Sequence, residues 1–147
     1  MDELKETLQS VIDQDRIGSP VFIRVVLNMA ENVDTLIHPT SELVAFSNAL
    51  IPSEIRSLYT QSSNDDTQVT VMLHFVGGQM ALLSTNRVDS QTDIDLMLVG
   101  NKGVIYHQTP IGRNYLSGNP PILGETGLFT DVMTQSLATG KPIKVEA

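Results

Sequence analysis

A carboxylate and an imidazole stand four residues apart in the first third of the chain, at Asp34 and His38. An imidazole has a reference pKa near neutral pH, so it can give or take a proton, and a nearby carboxylate can orient it. The two residues are therefore our candidates for catalysis and for substrate binding. A local role is the alternative, in which His38 is satisfied by hydrogen bonds at a helix start and Asp34 caps or turns the chain.

The other side chains that could carry chemistry are isolated from one another. His74 and His107 fall singly within predicted strands, and the sequence contains no cysteine, so no metal site is predicted. Lys102 is interpreted as the lysine of a hairpin tip rather than as part of an anion site. Arg113 lies in residues 108–124, a stretch rich in proline and glycine that is predicted to be a loop, and it could reach the mouth of a pocket as a further substrate-binding residue.

Composition and charge narrow the class of protein. A length of 147 residues suits one domain, and 41% hydrophobic with 18% charged residues is typical of a globular chain. A net charge of −8, with nine scattered basic residues, argues against nucleic acid as a partner. Neither a secretion signal nor a membrane span is recognisable, and the lack of cysteine is compatible with a reducing compartment, so we expect a cytoplasmic protein.

The hydrophobic periodicity predicts three helices and a series of strands. The helices are expected from Asp2 towards a stop at Gly18, over residues 40–50, and from Leu128 to an end at Gly140. The strands are expected over residues 21–29, 54–61, 69–75, 79–84, 93–99 and 104–106. This order predicts an α+β fold, with one open, mainly antiparallel sheet and helices on one face.

The other face of that sheet is predicted to need a partner, because three helices do not cover two faces. Its strand positions are apolar at the same phase in several strands: Phe22, Val26, Met72, Val76, Met97 and Val99. An uncovered apolar face implies a partner, and the simplest closed solution is a homodimer in which this face meets its own copy. Scattered apolar residues on the surface of a monomer are the alternative.

The stretch Asp34-Thr-Leu-Ile-His38-Pro-Thr-Ser41 resembles a motif of the glucose–fructose oxidoreductase and inositol dehydrogenase family (Gfo/Idh/MocA). In that family an Asp and a His four apart precede a helix that packs beneath the substrate. Four further stretches resemble family segments in the family's order: residues 12–18, 69–83, 98–103 and 129–142. The resemblance covers nearly the whole chain and implies the family's second, C-terminal domain, a large open sheet used for substrate binding and for pairing subunits.

The resemblance also gives the candidate residues a role. In the family the His is thought to act as acid or base on a substrate hydroxyl while hydride moves to or from nicotinamide, which would assign that role to His38, with Asp34 beside it. This sequence departs from the family by lacking its Glu-Lys-Pro segment, by having Ser41 where an Asp is usual, and by a short link between Met29 and Asp34.

The sequence also lacks the Gly-x-Gly-x-x-Gly loop that seats a dinucleotide pyrophosphate. We therefore expect a single domain over residues 1–147 with no dinucleotide-binding domain. The chain is expected to bind no cofactor by itself, and NAD(P) would enter only if a partner chain supplied that domain.

Three functions are compatible with these expectations. The preferred one is a non-redox binding or assembly module for a sugar-like or polyol-like ligand. The second is the substrate subunit of an NAD(P)-dependent oxidoreductase whose dinucleotide domain lies on another chain. The third is a cofactor-free isomerase or lyase that uses Asp34 and His38.

Overall fold

The computed structural model describes residues 2–30, 32–110 and 125–145. Its helices are α1 (Asp2–Asp13), α2 (Ile37–Leu50) and α3 (Glu125–Thr139). Its strands are β1 (Pro20–Met29), β2 (Ile55–Ser62), β3 (Gln68–Phe75), β4 (Met80–Arg87), β5 (Asp93–Gly100), β6 (Val104–Pro110) and β7 (Ile143–Lys144). The predicted α+β class is confirmed. Within the described ranges, no helix combines the length and the apolar character that crossing a membrane requires.

The seven strands form one open sheet in the order β6-β5-β1-β4-β3-β2-β7. β3 pairs antiparallel with both β2 and β4, and β5 pairs antiparallel with β6. β1 lies between β4 and β5, and it pairs parallel with β4 and antiparallel with β5. The first strand is therefore inserted between two strands that follow each other in sequence. The prediction of a mainly antiparallel sheet is confirmed, and the single parallel pairing is a feature that the hydrophobic pattern did not reveal.

The helices cover one face of the sheet, and the strands alternate accordingly. In β1 the side chains of Ile23, Val25 and Leu27 are fully buried, while Phe22 and Val26 between them are only partly buried. α2 contacts β1, β3, β4 and α3, and α3 packs on β2. Since fully burying one large aliphatic side chain contributes about 1.5–3 kcal/mol, this single layer between helices and sheet is the main source of stability.

Two helix boundaries differ from the sequence-based predictions. α1 ends at Asp13 instead of continuing to Gly18, because Asp15 adopts a left-handed φ of 57° directly after the last turn. α2 begins at Ile37, three residues before the expected start at Thr40. Pro39 is accommodated there because the first turn of a helix does not need its N–H groups for internal hydrogen bonds.

The last two predicted segments also differ from the structure. β6 continues to Pro110, beyond the expected strand end at residue 106, so the beginning of the predicted loop over 108–124 belongs to the sheet. The candidate Arg113 lies outside the described residues. α3 ends at Thr139, directly before Gly140 as expected, but it begins at Glu125, ahead of Leu128. The short strand β7 after it pairs with β2 at Ser57 and Leu58.

The turn after β5 holds the segment that leads into β1. The backbone N–H of Lys102 donates to the Ile17 carbonyl at 2.8 Å, and that of Asn101 donates to the Ser19 carbonyl at 3.1 Å. The Asn101 side chain accepts a hydrogen bond from the Ser19 N–H at 2.9 Å. Lys102 lies at the hairpin tip as predicted, and its Nζ pairs with Asp15 at 2.8 Å. Two segments that carry the family resemblance, far apart in sequence, thus bind each other.

The close approach of these segments makes Gly100 hard to replace. A Cβ added at Gly100 would lie 2.1 Å from the backbone oxygen of Ile17, so the backbone would have to move. We expect Gly100→Ala to lower the free energy of unfolding by about 1–3 kcal/mol, as overpacking does. Denaturant titration would measure it. Gly103→Ala is the matched control, because its nearest neighbour, the Arg16 carbonyl oxygen, is 3.5 Å away. Equal losses in the two variants would contradict this account.

Candidate functional site

The candidate residues Asp34 and His38 lie where the chain passes from β1 into α2. Asp34 is exposed in the link, and His38 lies in the first turn of α2 with 60% of its side chain exposed. The turn itself is firmly anchored because Leu36 is fully buried and Thr40 Oγ1 donates to the Leu36 carbonyl at 2.6 Å. A hydrogen bond of 2.8 Å between Thr40 Oγ1 and Thr85 Oγ1, in which Thr85 donates, ties this turn to β4.

In the structure His38 pairs with Glu42 and not with Asp34. The distance from His38 Nε2 to Glu42 Oε1 is 3.4 Å, and the Glu42 side chain is only 11% exposed. The described residues show no hydrogen bond or ion pair between Asp34 and His38. Residues four apart on a helix lie on the same face, so the helix itself places Glu42 beside His38. The sequence analysis missed Glu42, although its spacing from His38 was the available signal once the helix began before residue 38.

The environment of Glu42 perturbs its titration. Burial raises the pKa of the Glu42 carboxyl above its ordinary value, and the charge of protonated His38 opposes that shift. Desolvation disfavours the ionised form, so this carboxyl takes up a proton more readily than a surface glutamate does. A carboxyl of this kind beside an imidazole can exchange protons, which is the elementary requirement of acid–base chemistry.

The described neighbours of this pair hold the backbone of the turn and of the link in place. Ser41, which stands where the family usually has Asp, is fully buried and donates its hydroxyl to the His38 carbonyl at 2.7 Å. Arg87 fixes the link by donating to the Val33 carbonyl at 2.7 Å. Three clefts with volumes of about 570, 350 and 280 Å³ lie elsewhere on the surface, and neither Asp34 nor His38 lines any of them.

No metal centre is formed by the part of the chain that the structure describes, since nowhere in it do three or more His, Asp or Glu side chains converge. His74 is exposed on β3. His107 lies four strands away on the edge strand β6, where it is paired in register with Leu96. The three histidines therefore belong to three separate places in the fold.

The second candidate region is the sheet face opposite the helices, which we call the open face. Its apolar half is continuous across neighbouring strands, because the strand register sets Phe22 beside Met80 and Val99, and Met72 beside Leu82. The six residues predicted for an uncovered face alternate with the buried residues of their strands and therefore lie on the open face. Phe22, Val26, Met97 and Val99 are partly buried, and Met72 and Val76 are 36% and 63% exposed. Tyr106, on β6 beside Met97, extends the apolar half and is 73% exposed.

The other half of the open face is polar and internally hydrogen-bonded. Asn28 Nδ2 donates to Asp93 Oδ1 at 2.9 Å, and Asn86 Nδ2 donates to Asn28 Oδ1 at 3.0 Å. Gln68 Nε2 continues the network by donating to Ser84 Oγ at 3.3 Å. These polar groups form hydrogen bonds with one another at the surface. The apolar half is therefore the part of the open face that would gain by leaving water.

An open, mainly antiparallel sheet of seven strands with three helices on one face defines the class of this protein. Solved structures share this fold at low sequence identity. A scyllo-inositol dehydrogenase from Lactobacillus casei, solved with NAD(H) and scyllo-inositol, matches with a TM-score of 0.75 and 12% identity over 95% of this chain and 61% of its own. A myo-inositol dehydrogenase from Corynebacterium glutamicum matches with a TM-score of 0.72 and 10% identity over 97% of this chain and 61% of its own.

These matches confirm the fold that the sequence resemblance predicted, that of the C-terminal domain of Gfo/Idh/MocA dehydrogenases. The chain spans about three fifths of the length of the dehydrogenases it matches. No family model matches the sequence, and no curated protein does.

The raised pKa of Glu42 predicts how the free energy of unfolding depends on pH. A carboxyl whose pKa is higher in the folded than in the unfolded chain contributes stability below its unfolded value, 4.5, and this contribution is lost as the pH rises through the folded value. We therefore expect Glu42→Gln to match the wild type in free energy of unfolding near pH 4 and to exceed it at pH 7. Urea titrations at both pH values would measure the difference.

Glu54→Gln, at an exposed position, is the control that removes the same charge and should show no such dependence on pH. A Glu42→Gln protein that is less stable than the wild type at pH 7 would contradict the prediction. It would show that an ionised Glu42 paired with His38 stabilises the fold.

Proposed function

We propose that this chain is a non-redox assembly module that pairs two copies through the open face. The observation that supports it is the apolar half of that face, which continues across neighbouring strands and is not covered by α1, α2 or α3. Isolated apolar side chains are common on protein surfaces, but a contiguous set at one phase of several strands is typical of an interaction surface.

The size of the face is adequate for a stable homodimer. Six strands spaced by about 4.8 Å and some 8 residues long, at about 3.3 Å per residue, give a projected area of roughly 600 Å². Side chains add to this area, which brings it towards the roughly 800 Å² per partner of a standard interface. About half of this face is apolar, so two copies together would bury roughly 800 Å² of apolar surface, and at about 25 cal/mol for each Å² this exceeds the association cost of about 4–15 kcal/mol.

The non-redox part of the proposal rests on the site residues. His38 and Glu42 could exchange protons, but His38 is mostly exposed and lines none of the three clefts described above. Hydride transfer needs a nicotinamide, and the sequence carries no dinucleotide fingerprint. A ligand retained by the module would belong to the class bound by the matched dehydrogenase, a polyol such as scyllo-inositol.

The assembly proposal is tested by placing charge on the open face. We expect Met72→Glu combined with Met97→Glu to give monomers of 16.1 kDa, or insoluble protein, because burying two carboxylates in an apolar interface is costly. Light scattering and sedimentation at high micromolar concentration would measure the mass. Gln135→Glu combined with Ala138→Glu adds two carboxylates at exposed positions of α3 and should leave the dimer intact. A wild-type protein that stays monomeric under these conditions would overturn the proposal.

The non-redox proposal predicts that the purified chain binds neither NAD nor NADP. The reason is that no glycine-rich loop is available to receive the pyrophosphate at a helix amino terminus. Calorimetric titration of each dinucleotide should give no heat of binding, with a complete inositol dehydrogenase as the positive control. Micromolar binding of either dinucleotide would refute the proposal and favour a redox subunit.

A further inference from the structure

Arg24 lies in the middle of the apolar half of the open face. On β1 it stands in register between Leu82 of β4 and Met97 of β5, and 41% of its side chain is exposed. Its Nε is buried and has no hydrogen-bond partner among the described residues. A guanidinium offers five donors in a rigid fork, and a buried donor left unpaired is destabilising. The face therefore contains a charged group that makes no hydrogen bond with any described residue of its own chain.

Asp95 is the carboxylate nearest to Arg24. It lies on β5 opposite Val26, one row further along the open face, and its side chain is also 41% exposed. The distance from Arg24 Nη2 to Asp95 Oδ1 is 3.6 Å, which is longer than the roughly 2.7–2.9 Å of a charge-assisted hydrogen bond. The two groups attract each other, but neither satisfies the other in the single chain.

We infer that Arg24 and Asp95 pair across the interface of the dimer, with each Arg24 binding the partner's Asp95. This inference rests on the proposed function. Contacts at a two-fold interface are reciprocal, so a two-fold axis that lies in the interface and passes midway between the two side chains brings each Arg24 opposite the partner's Asp95. The partner's Asp95 then accepts hydrogen bonds from the exposed Nη groups of Arg24, which have no hydrogen-bond acceptor among the described residues of the single chain.

Burial of the face makes such a pairing necessary. When the apolar residues around Arg24 leave water, Arg24 and Asp95 lose most of their remaining solvent, and a buried charge without a partner is strongly destabilising. Burial of apolar surface is favourable in any orientation, so many mutual orientations of the two faces would bury similar areas. A reciprocal pair of charges selects one orientation, because only that one satisfies both copies.

Mixing two charge-reversed variants tests the inference. In Arg24→Asp both positions are acidic, and in Asp95→Arg both are basic, so each homodimer brings like charges together. We expect each homodimer to dissociate at least about 30-fold more readily than the wild type, the effect of losing a buried charge pair. In the mixed dimer both intermolecular pairs are opposite in charge, while the pair within each chain remains repulsive. Recovery of dimer in the mixture would therefore come from contacts between copies.

Native mass spectrometry of the mixture, with sedimentation of each variant alone, would measure the recovery. The control mixture joins Lys102→Asp with Asp15→Lys, which reverses an exposed ion pair away from the open face and should show no preference for the mixed dimer. If a charge reversal prevents folding, Arg24→Gln and Asp95→Asn provide a double-mutant cycle on mixed dimers, with coupling between the copies as the expected result.

The outcomes separate the two proposals. A wild-type monomer overturns both the proposed function and this inference. A wild-type dimer whose charge-reversed variants show no preference for the mixed dimer, or no coupling in the cycle, overturns this inference alone and leaves the assembly module standing.

Discussion

A β-strand presents alternate side chains to the two faces of its sheet, and this fold has helices for only one of them. That constraint shapes the whole molecule. One set of alternate residues in each strand is buried against the helices, and in β1 this set is Ile23, Val25 and Leu27. The other set forms the open face, which must be either polar or covered. It is polar around Asn28 and apolar around Phe22, and the division between these halves makes assembly the natural interpretation of the fold.

The insertion of β1 between β4 and β5 links the fold to its candidate site. β1 lies in the interior of the sheet, and the link after it leads to α2 on the helix-covered face. There the hydrogen bond between Thr40 and Thr85 fixes the first turn of α2. That turn carries His38, and the helix brings Glu42 beside it. The site residues are thus positioned by one of the best-packed parts of the molecule, although the pair itself lies at the surface. The first turn of α2 is thus a rigid frame that carries an exposed imidazole.

Charged side chains have different surroundings on the open face and at the start of α2. On the open face, Arg24 lies among apolar groups and makes no hydrogen bond with a described residue, and Asp95 is 3.6 Å from it. At the start of α2, burial disfavours the charge of Glu42, and His38 within the same chain moderates the effect. The first place would be completed by the proposed pairing of two copies, whereas the ion pair of the second is made within the chain.

The sequence alone determined the fold class, most of the strands and the apolar phase of the open face, because alternation and periodicity are local properties of the chain. It also located the link that carries Asp34 and His38 through its resemblance to known dehydrogenases. Tertiary structure decided what depends on partners distant in sequence: the parallel pairing of β1 with β4, the contact of Gly100 with Ile17, and the short strand β7. It also decided that His38 meets Glu42, since that contact required α2 to begin at Ile37, ahead of a proline that the local pattern had treated as lying before the helix.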